Sequence, residues 1–261
     1  MITSVQTPTE QLKQGIHHSY NHYYASGLYD TRYPQANQNV LDFILQTFTE
    51  VESLPSEQPV KPVFLDYGCG NGRYLLPLLQ LTEWHALAFD ISSQAIAQLQ
   101  ERLKQQQFSL RCDIAQKWPQ PGEYHVALLL YGVLGHIKTQ QQRIQLLTSI
   151  HERLISTLIV SVPNTQRRFL CRRLFNMKKT DIEYQRSHNN QPMHFHYHLY
   201  CLDELKHELS QSNFKISSIQ AESMLPEKWI TRSAFWRSID HILCKILPLQ
   251  WAYGFLVSAK T

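Results

Sequence analysis

The stretch Asp66-Tyr67-Gly68-Cys69-Gly70-Asn71-Gly72 carries the most specific chemistry in the chain. Its pattern is D-x-G-x-G-x-G, entered from the apolar run Val63–Leu65 and left through a helical period that begins at Arg73. Glycines at a strand exit let the backbone turn sharply and approach a ligand at van der Waals distance, where a Cβ would intrude. A dinucleotide-binding turn, G-x-G-x-x-G, would need its third glycine at position 73, which is Arg73. Asp66, two residues ahead of the first glycine, instead suits a cationic amino group. Two more acids follow in step. Asp90 closes His85-Ala86-Leu87-Ala88-Phe89, where it can accept both hydroxyls of a ribose; Asp113 follows Ser109-Leu110-Arg111-Cys112, where it can accept from an adenine amine. Singly, each acid is as well explained as a helix cap or a turn residue.

Taken together, three acids at three successive strand ends describe a ligand with an amino group, a ribose and an adenine, and no pyrophosphate. S-adenosylmethionine has those parts. The elements that must hold these residues alternate along the chain. Strands are expected at Val63–Asp66, Ala86–Phe89, Ser109–Arg111, His125–Leu130 and Leu158–Val162, with helices at Arg73–Leu81, Ser92–Gln107 and Thr139–Arg153 between them. Short apolar strands separated by helices indicate a parallel sheet covered on both faces. Leu202–Gln211 reads as a further helix, and Phe214–Gln220 and Ala252–Ser258 as the last strands. The fold class is therefore α/β, a doubly wound, mostly parallel, seven-stranded Rossmann-like sheet. Residues 1–62 form an N-terminal helical lid and linker, with helical periods at Gln11–Ser26 and Gln38–Glu50. Residues 63–261 form the main domain, with insertions at about 164–200 and 222–249 after strands five and six.

The region Phe64–Val162 resembles the class I S-adenosylmethionine-dependent methyltransferase core in the glycine motif, in the acids ending strand two and following strand three, and in the Tyr131–Ile137 segment after strand four. The resemblance implies S-adenosylmethionine as cofactor, contacted by Gly68, Gly70, Asp90, Asp113 and Ile114. Cys69, Asn71 and Gly72 in the turn, Ile91 beside Asp90, Tyr131 after strand four, and Arg32 ahead of the core are assigned to the same site, with Asp66. One departure is Ser156-Thr157, where the family usually has a Gly-Gly turn. A narrower similarity links Ala25–Pro34, Arg111–Asp113, Gly132–Arg143 and His196–Leu205 to tRNA wobble-uridine methyltransferases that esterify a carboxymethyl group. Those enzymes usually carry a His-His pair where this chain has Gly135-His136, and they lack a long tail after Gln220.

Methyl transfer needs alignment and exclusion of water more than it needs a triad. His136, just after strand four, is the expected general base or acceptor-positioning group. The alternative is a packing histidine. Tyr20, Tyr24 and Tyr33, with Tyr23 and Tyr29, are expected to fold over the cofactor and line the acceptor side, or else to bind a helix to the core. In Met193–Tyr200 the histidines His194, His196 and His198 alternate, so a strand would place all three on one face. They are assigned to the acceptor pocket, and no metal site is expected. Arg167–Lys179 holds six cations among apolar residues at helical spacing, which suits phosphates or an anionic membrane surface. A solvated lid helix is the alternative there.

With 261 residues, 43% hydrophobic and 18% charged, the chain has material for one large core. Its formal charge of +4 is too small to require a nucleic acid. Five widely spaced cysteines without a CxxC pair argue against a disulfide framework. With no signal-like N-terminus or membrane-spanning run visible, a cytoplasmic location is expected, with peripheral membrane contact left open. The expected acceptor is a small molecule, methylated on oxygen or nitrogen. A tRNA acceptor and a non-catalytic cofactor-binding scaffold are the alternatives. A monomer and a homodimer are equally open.

Overall fold

A computed structural model describes residues 8–53, 61–115, 124–168 and 180–261, with side chains of the first helix described from Ile16 onward. Helices α1 (Pro8–Ala25), α2 (Leu28–Arg32) and α3 (Gln38–Glu52) precede the first strand. The core then runs β1 (Val63–Tyr67), α4 (Leu75–Leu81), β2 (His85–Phe89), α5 (Ser93–Gln105), β3 (Cys112–Ile114), β4 (Tyr124–Leu129), α6 (Gln140–His151) and β5 (Leu154–Pro163). A hairpin of β6 (Asp181–His188) and β7 (Gln191–His198) follows, then α7 (Leu202–Gln211) and β8 (Lys215–Ser223). The chain ends with α8 (Glu227–Ile230), α9 (Ala234–Ile246) and β9 (Gly254–Lys260).

Seven strands form one sheet in the order β3-β2-β1-β4-β5-β9-β8, parallel except for β9, which runs antiparallel to both neighbours. The expected doubly wound α/β fold is what the chain adopts. Its central strands are apolar on both faces because helices cover both. Phe64, Val126, Leu128 and Ile159 pack on one side against α3 and α4; Leu65, Ala127, Leu129 and Leu158 pack on the other against α6 and α7. Trp84 lies stacked on Phe48, ring centroids 3.8 Å apart, and joins α3 to the entry of β2.

Three expectations need adjusting. The third strand lies at Cys112–Ile114, not Ser109–Arg111. The earlier residues turn instead, with the Arg111 amide bonded to Phe108 O and its guanidinium drawn to the carbonyls of Thr82 and Trp84. Helix α4 starts at Leu75, because residues 70–74 are still turning out of the glycine motif. Ser156-Thr157 sits inside β5 as a register irregularity opposite Tyr124 and Val126 rather than in a turn before it. The run Arg167–Lys179 falls outside the described residues from position 169 onward. Among the described residues no helix is long and apolar enough to cross a membrane.

Candidate active site

The carboxyl ends of β1 and β2 form the floor. Gly68 and Cys69 both donate backbone N–H bonds to Phe89 O, at 2.7 and 3.0 Å, and Gly70 N donates to Asp90 Oδ2 at 2.8 Å. Gly68 has φ 82°, and a Cβ there would come 2.5 Å from Val133 Cγ2. At Gly70, φ 55°, a Cβ would strike the Tyr24 hydroxyl at 2.3 Å. Both positions therefore require glycine on two counts, handedness and space. Asp90 Oδ1 accepts the Ser92 amide at 2.7 Å, which ties the turn to the start of α5. Ser92 caps α5 through the Ala95 amide and also donates to Asn21 Oδ1 at 2.8 Å, so one serine anchors both α5 and α1.

Helix α1 lies across this floor. Tyr20, Tyr23, Tyr24, Tyr29 and Tyr33 face a cavity of about 220 Å³ whose other walls include Gly68, Asp90, Ile91, Tyr131 and His136. Edge-on ring pairs, Tyr20 on Phe195 and Tyr33 on Tyr131, join the helical segment to the hairpin and the core. A second cavity of about 310 Å³ shares Tyr33, Tyr131, His136, Tyr184 and Arg186 with the first and continues to Arg32, Arg168 and Tyr197. The two volumes meet at Tyr131 and His136.

His136 ends the 3-10 turn Leu134–His136. Its Nδ1 lies 2.7 Å from His196 O, and since a carbonyl only accepts, Nδ1 carries the proton. Nε2 is left as an acceptor. Burial, opposed by that carbonyl bond and aided by the charges of His196 and Arg186, lowers the imidazolium pKa to about 4. The ring is therefore neutral at physiological pH. Burial, with the Asp90 charge adding to it, raises the Asp66 carboxyl to about 7. Burial also pushes Asp90 up, against the bonds from Ser92 and Gly70.

Of the arginines around the second cavity, Arg168 bonds Tyr253 O through Nε at 3.2 Å and keeps Nη2 3.8 Å from Glu222 Oε2. Arg186 lies over the Tyr23 and Tyr184 rings, and Arg32 bonds the Tyr33 hydroxyl at 2.7 Å. Neither has a described carboxylate within 4.0 Å. Arg73 is different: buried, it pairs with Glu227 and lies over the Tyr33 and Tyr131 rings from behind.

Several sequence assignments change. His194, His196 and His198 do share one face of β7, but the opposite face, with Phe195 and Tyr197, lines the cavities. The larger apolar side chains take the inward positions, while His194 and His196 line a separate cavity of about 530 Å³ with Ile16, His18 and Lys138. His198 instead bridges Asp181 and Glu204, both at 2.9 Å. Asn71 also points away from the cavity, with Nδ2 bonded to Asp30 and Gln98 at 3.0 Å, and Gly72 packs beneath it on Leu76 and Leu99. Cys69 is buried under the turn. Arg32 reaches the second cavity rather than the glycine turn. Asp113 is exposed and Ile114 half-buried on β3, beside β2 and beyond the cavity lining. Sequence reasoning missed Arg186, Tyr184 and Tyr197; the alternation that put three histidines on one face also put Tyr197 on the other.

Residues 64–155 match the family model described as a methyltransferase domain. The chain carries a methyltransferase domain. Among solved structures it is similar to a S-adenosylmethionine-dependent methyltransferase from Clostridium acetobutylicum, at 11% identity and TM-score 0.62, over 90% of this chain and 97% of that one. It is also similar to the Burkholderia thailandensis 1,6-didemethyltoxoflavin-N1-methyltransferase, at 17% identity and TM-score 0.61, over 100% and 93%. A third is magnesium protoporphyrin IX methyltransferase from Synechocystis PCC 6803, at 12% identity and TM-score 0.55, over 99% of each chain. No curated protein sequence matches. The methyltransferase domain implies S-adenosylmethionine as its cofactor, and the cradle fits that molecule. The Tyr20 hydroxyl is occluded beside the first cavity without a hydrogen-bond partner among the described residues, and Asp90 stands in the wall of the same cavity. A glycine turn too tight for any Cβ completes the cradle.

Proposed function

We propose that this methyltransferase moves a methyl group from S-adenosylmethionine to an oxygen or nitrogen of a small acidic acceptor. The observation that carries the reading is the meeting of a glycine- and acid-floored cavity with an arginine-lined one at Tyr131 and His136. The cofactor supplies an electrophilic sulfonium methyl. Asp66 is assigned to its amino group and Asp90, on the cavity wall, to the ribose hydroxyls, while the exposed Asp113 lies outside that wall. Tyr20, Tyr24 and Tyr33 keep water away from the sulfonium side. His136 accepts a hydrogen bond from the acceptor's O–H or N–H through Nε2, which aims the nucleophile's lone pair along the line of attack. Nε2 takes the proton as the new bond forms and releases it to solvent. Because an imidazolium held near pKa 4 is a weak conjugate partner, orientation contributes more here than proton affinity.

The second cavity favours an acidic acceptor, since Arg32 and Arg186 line it with no described carboxylate within 4.0 Å, and Arg168, already near Glu222, adds to the positive field. Gly135 weighs against the tRNA alternative. A Cβ there would come 2.8 Å from His198 O, so the second histidine of the wobble-uridine enzymes does not fit beside this hairpin. Untargeted comparison of metabolites and tRNA nucleosides between cells expressing the wild type and His136→Ala tests the reading. An acidic metabolite should gain one methyl group with the wild type only. A methylated tRNA nucleoside in its place refutes the small-molecule assignment, and no change in either refutes catalysis.

A further inference from the structure

Helix α9 is turned the wrong way for an ordinary surface helix, which buries its apolar stripe and wets its polar one. Its polar edge is the anchored one. Asp240 is buried and accepts the Met224 and Leu225 amides at 2.8 and 2.7 Å and the Asn39 amide at 2.9 Å. His241 adds a bond to Asn39 Oδ1 at 2.8 Å. Leu243, Cys244 and Leu247 cover a small cluster on Ala221, Met224 and Ala252. The positions 235, 239, 242 and 246 form a separate apolar stripe, on which Phe235 is 66%, Ile242 57% and Ile246 68% exposed. Trp229, Trp236 and Trp251 are exposed as well, the first two with ring centroids 5.3 Å apart.

Charge decides what covers this face. Between Glu227 and Trp251 the cations are Lys228, Arg232, Arg237 and Lys245. The only acids in the span are Glu227, which is paired with Arg73, and the buried Asp240. Arg237 bonds Ile230 O on the anchored side of α9, so a second copy docked on the same face would bring Lys228, Arg232 and Lys245 against their counterparts with no free acid in the span between them. An anionic lipid surface matches both features, apolar side chains with tryptophans for the interface and cations for the headgroups.

We propose that α9 and the flanking α8 form an interfacial membrane-docking face that binds anionic phospholipid. The face adjoins the lid: Arg232 donates to Thr31 O at 3.1 Å, and Gln35 donates to Thr231 O. Docking would therefore set the α2 edge of the acceptor cavity beside the bilayer, and a lipophilic acid could reach it from there.

Co-sedimentation of the full chain with phosphatidylcholine vesicles, with and without phosphatidylglycerol, tests this directly. Binding should require phosphatidylglycerol, weaken at high salt, and fall tenfold or more in Ile242→Asp and Phe235→Ser. Both positions are solvent-exposed, so melting temperature and cofactor affinity should stay unchanged, which separates this proposal from the methyltransferase reading. Four results would overturn it: no binding to either vesicle, equal binding to both, binding untouched by the two substitutions, or a dimer in solution that Ile242→Asp dissociates.

Discussion

Gly135→Ala is the sharpest probe of how the hairpin sets the site. Gly135 lies in the 3-10 turn Leu134–His136 and is not in the left-handed region, so alanine meets no backbone strain there. On propensity alone the change would be neutral or favourable by up to about 1 kcal/mol. Space gives the opposite sign. The new Cβ would lie 2.8 Å from His198 O and 3.5 Å from the Tyr197 ring. The closer atom is backbone, held in β7 by its pairing with β6, so either the turn or the strand must shift. Overpacking of this kind costs about 1–3 kcal/mol. A net loss of about 2 kcal/mol lowers the melting temperature by about 4–8 °C. S-adenosylhomocysteine affinity should hold, because the glycine turn and Asp90 are untouched. Gly135→His should fare worse than alanine. A Gly135→Ala protein that melts at or above the wild-type temperature would refute the claim that β7 closes on this turn.

Three further outcomes follow from the same geometry. Asp90→Asn keeps one acceptor but loses the charge, so calorimetry should show S-adenosylhomocysteine binding about 10–150-fold weaker, about 1.5–3 kcal/mol; an unchanged constant would leave Asp90 only a tie between the turn and α5. Asp66 sits near 7 in the free protein, and its carboxylate is the form that attracts an ammonium group. Cofactor affinity should therefore rise as pH increases from about 6 to about 8 and level off above, while Asp66→Asn should flatten the curve; a flat wild-type curve would detach Asp66 from the amino group. Benzoate should bind the S-adenosylhomocysteine-loaded enzyme more tightly than benzamide, and Arg168→Gln should weaken it about tenfold, the scale of one charge-assisted bond. Equal binding of the two probes would remove the case for an acidic acceptor.

The floor of the site was legible because its constraints are local. A glycine turn between a strand and a helix, and Asp90 at the next strand end, are fixed by backbone conformation and by neighbours within a few residues. The aromatic lid was legible for the same reason, since Tyr20, Tyr23 and Tyr24 share a helix face. The acceptor side was not. Alternation shows that His194, His196 and His198 share a face, but which face turns inward depends on docking against α1, where Phe195 meets Tyr20 and Tyr23. Arg168 and Arg186 converge only because the β6–β7 hairpin folds back over the end of β4. The orientation of the C-terminal helix hangs on Asp240, whose amide partners no periodicity reveals.

Calorimetric titration of the purified chain with S-adenosylhomocysteine, beside NAD, tests the central claim most directly. The cradle of Gly68, Gly70 and Asp90 should hold S-adenosylhomocysteine at a micromolar dissociation constant, about −8 kcal/mol, and NAD should give no heat. Binding of NAD in the absence of S-adenosylhomocysteine binding would contradict the assignment of this site to methyl transfer.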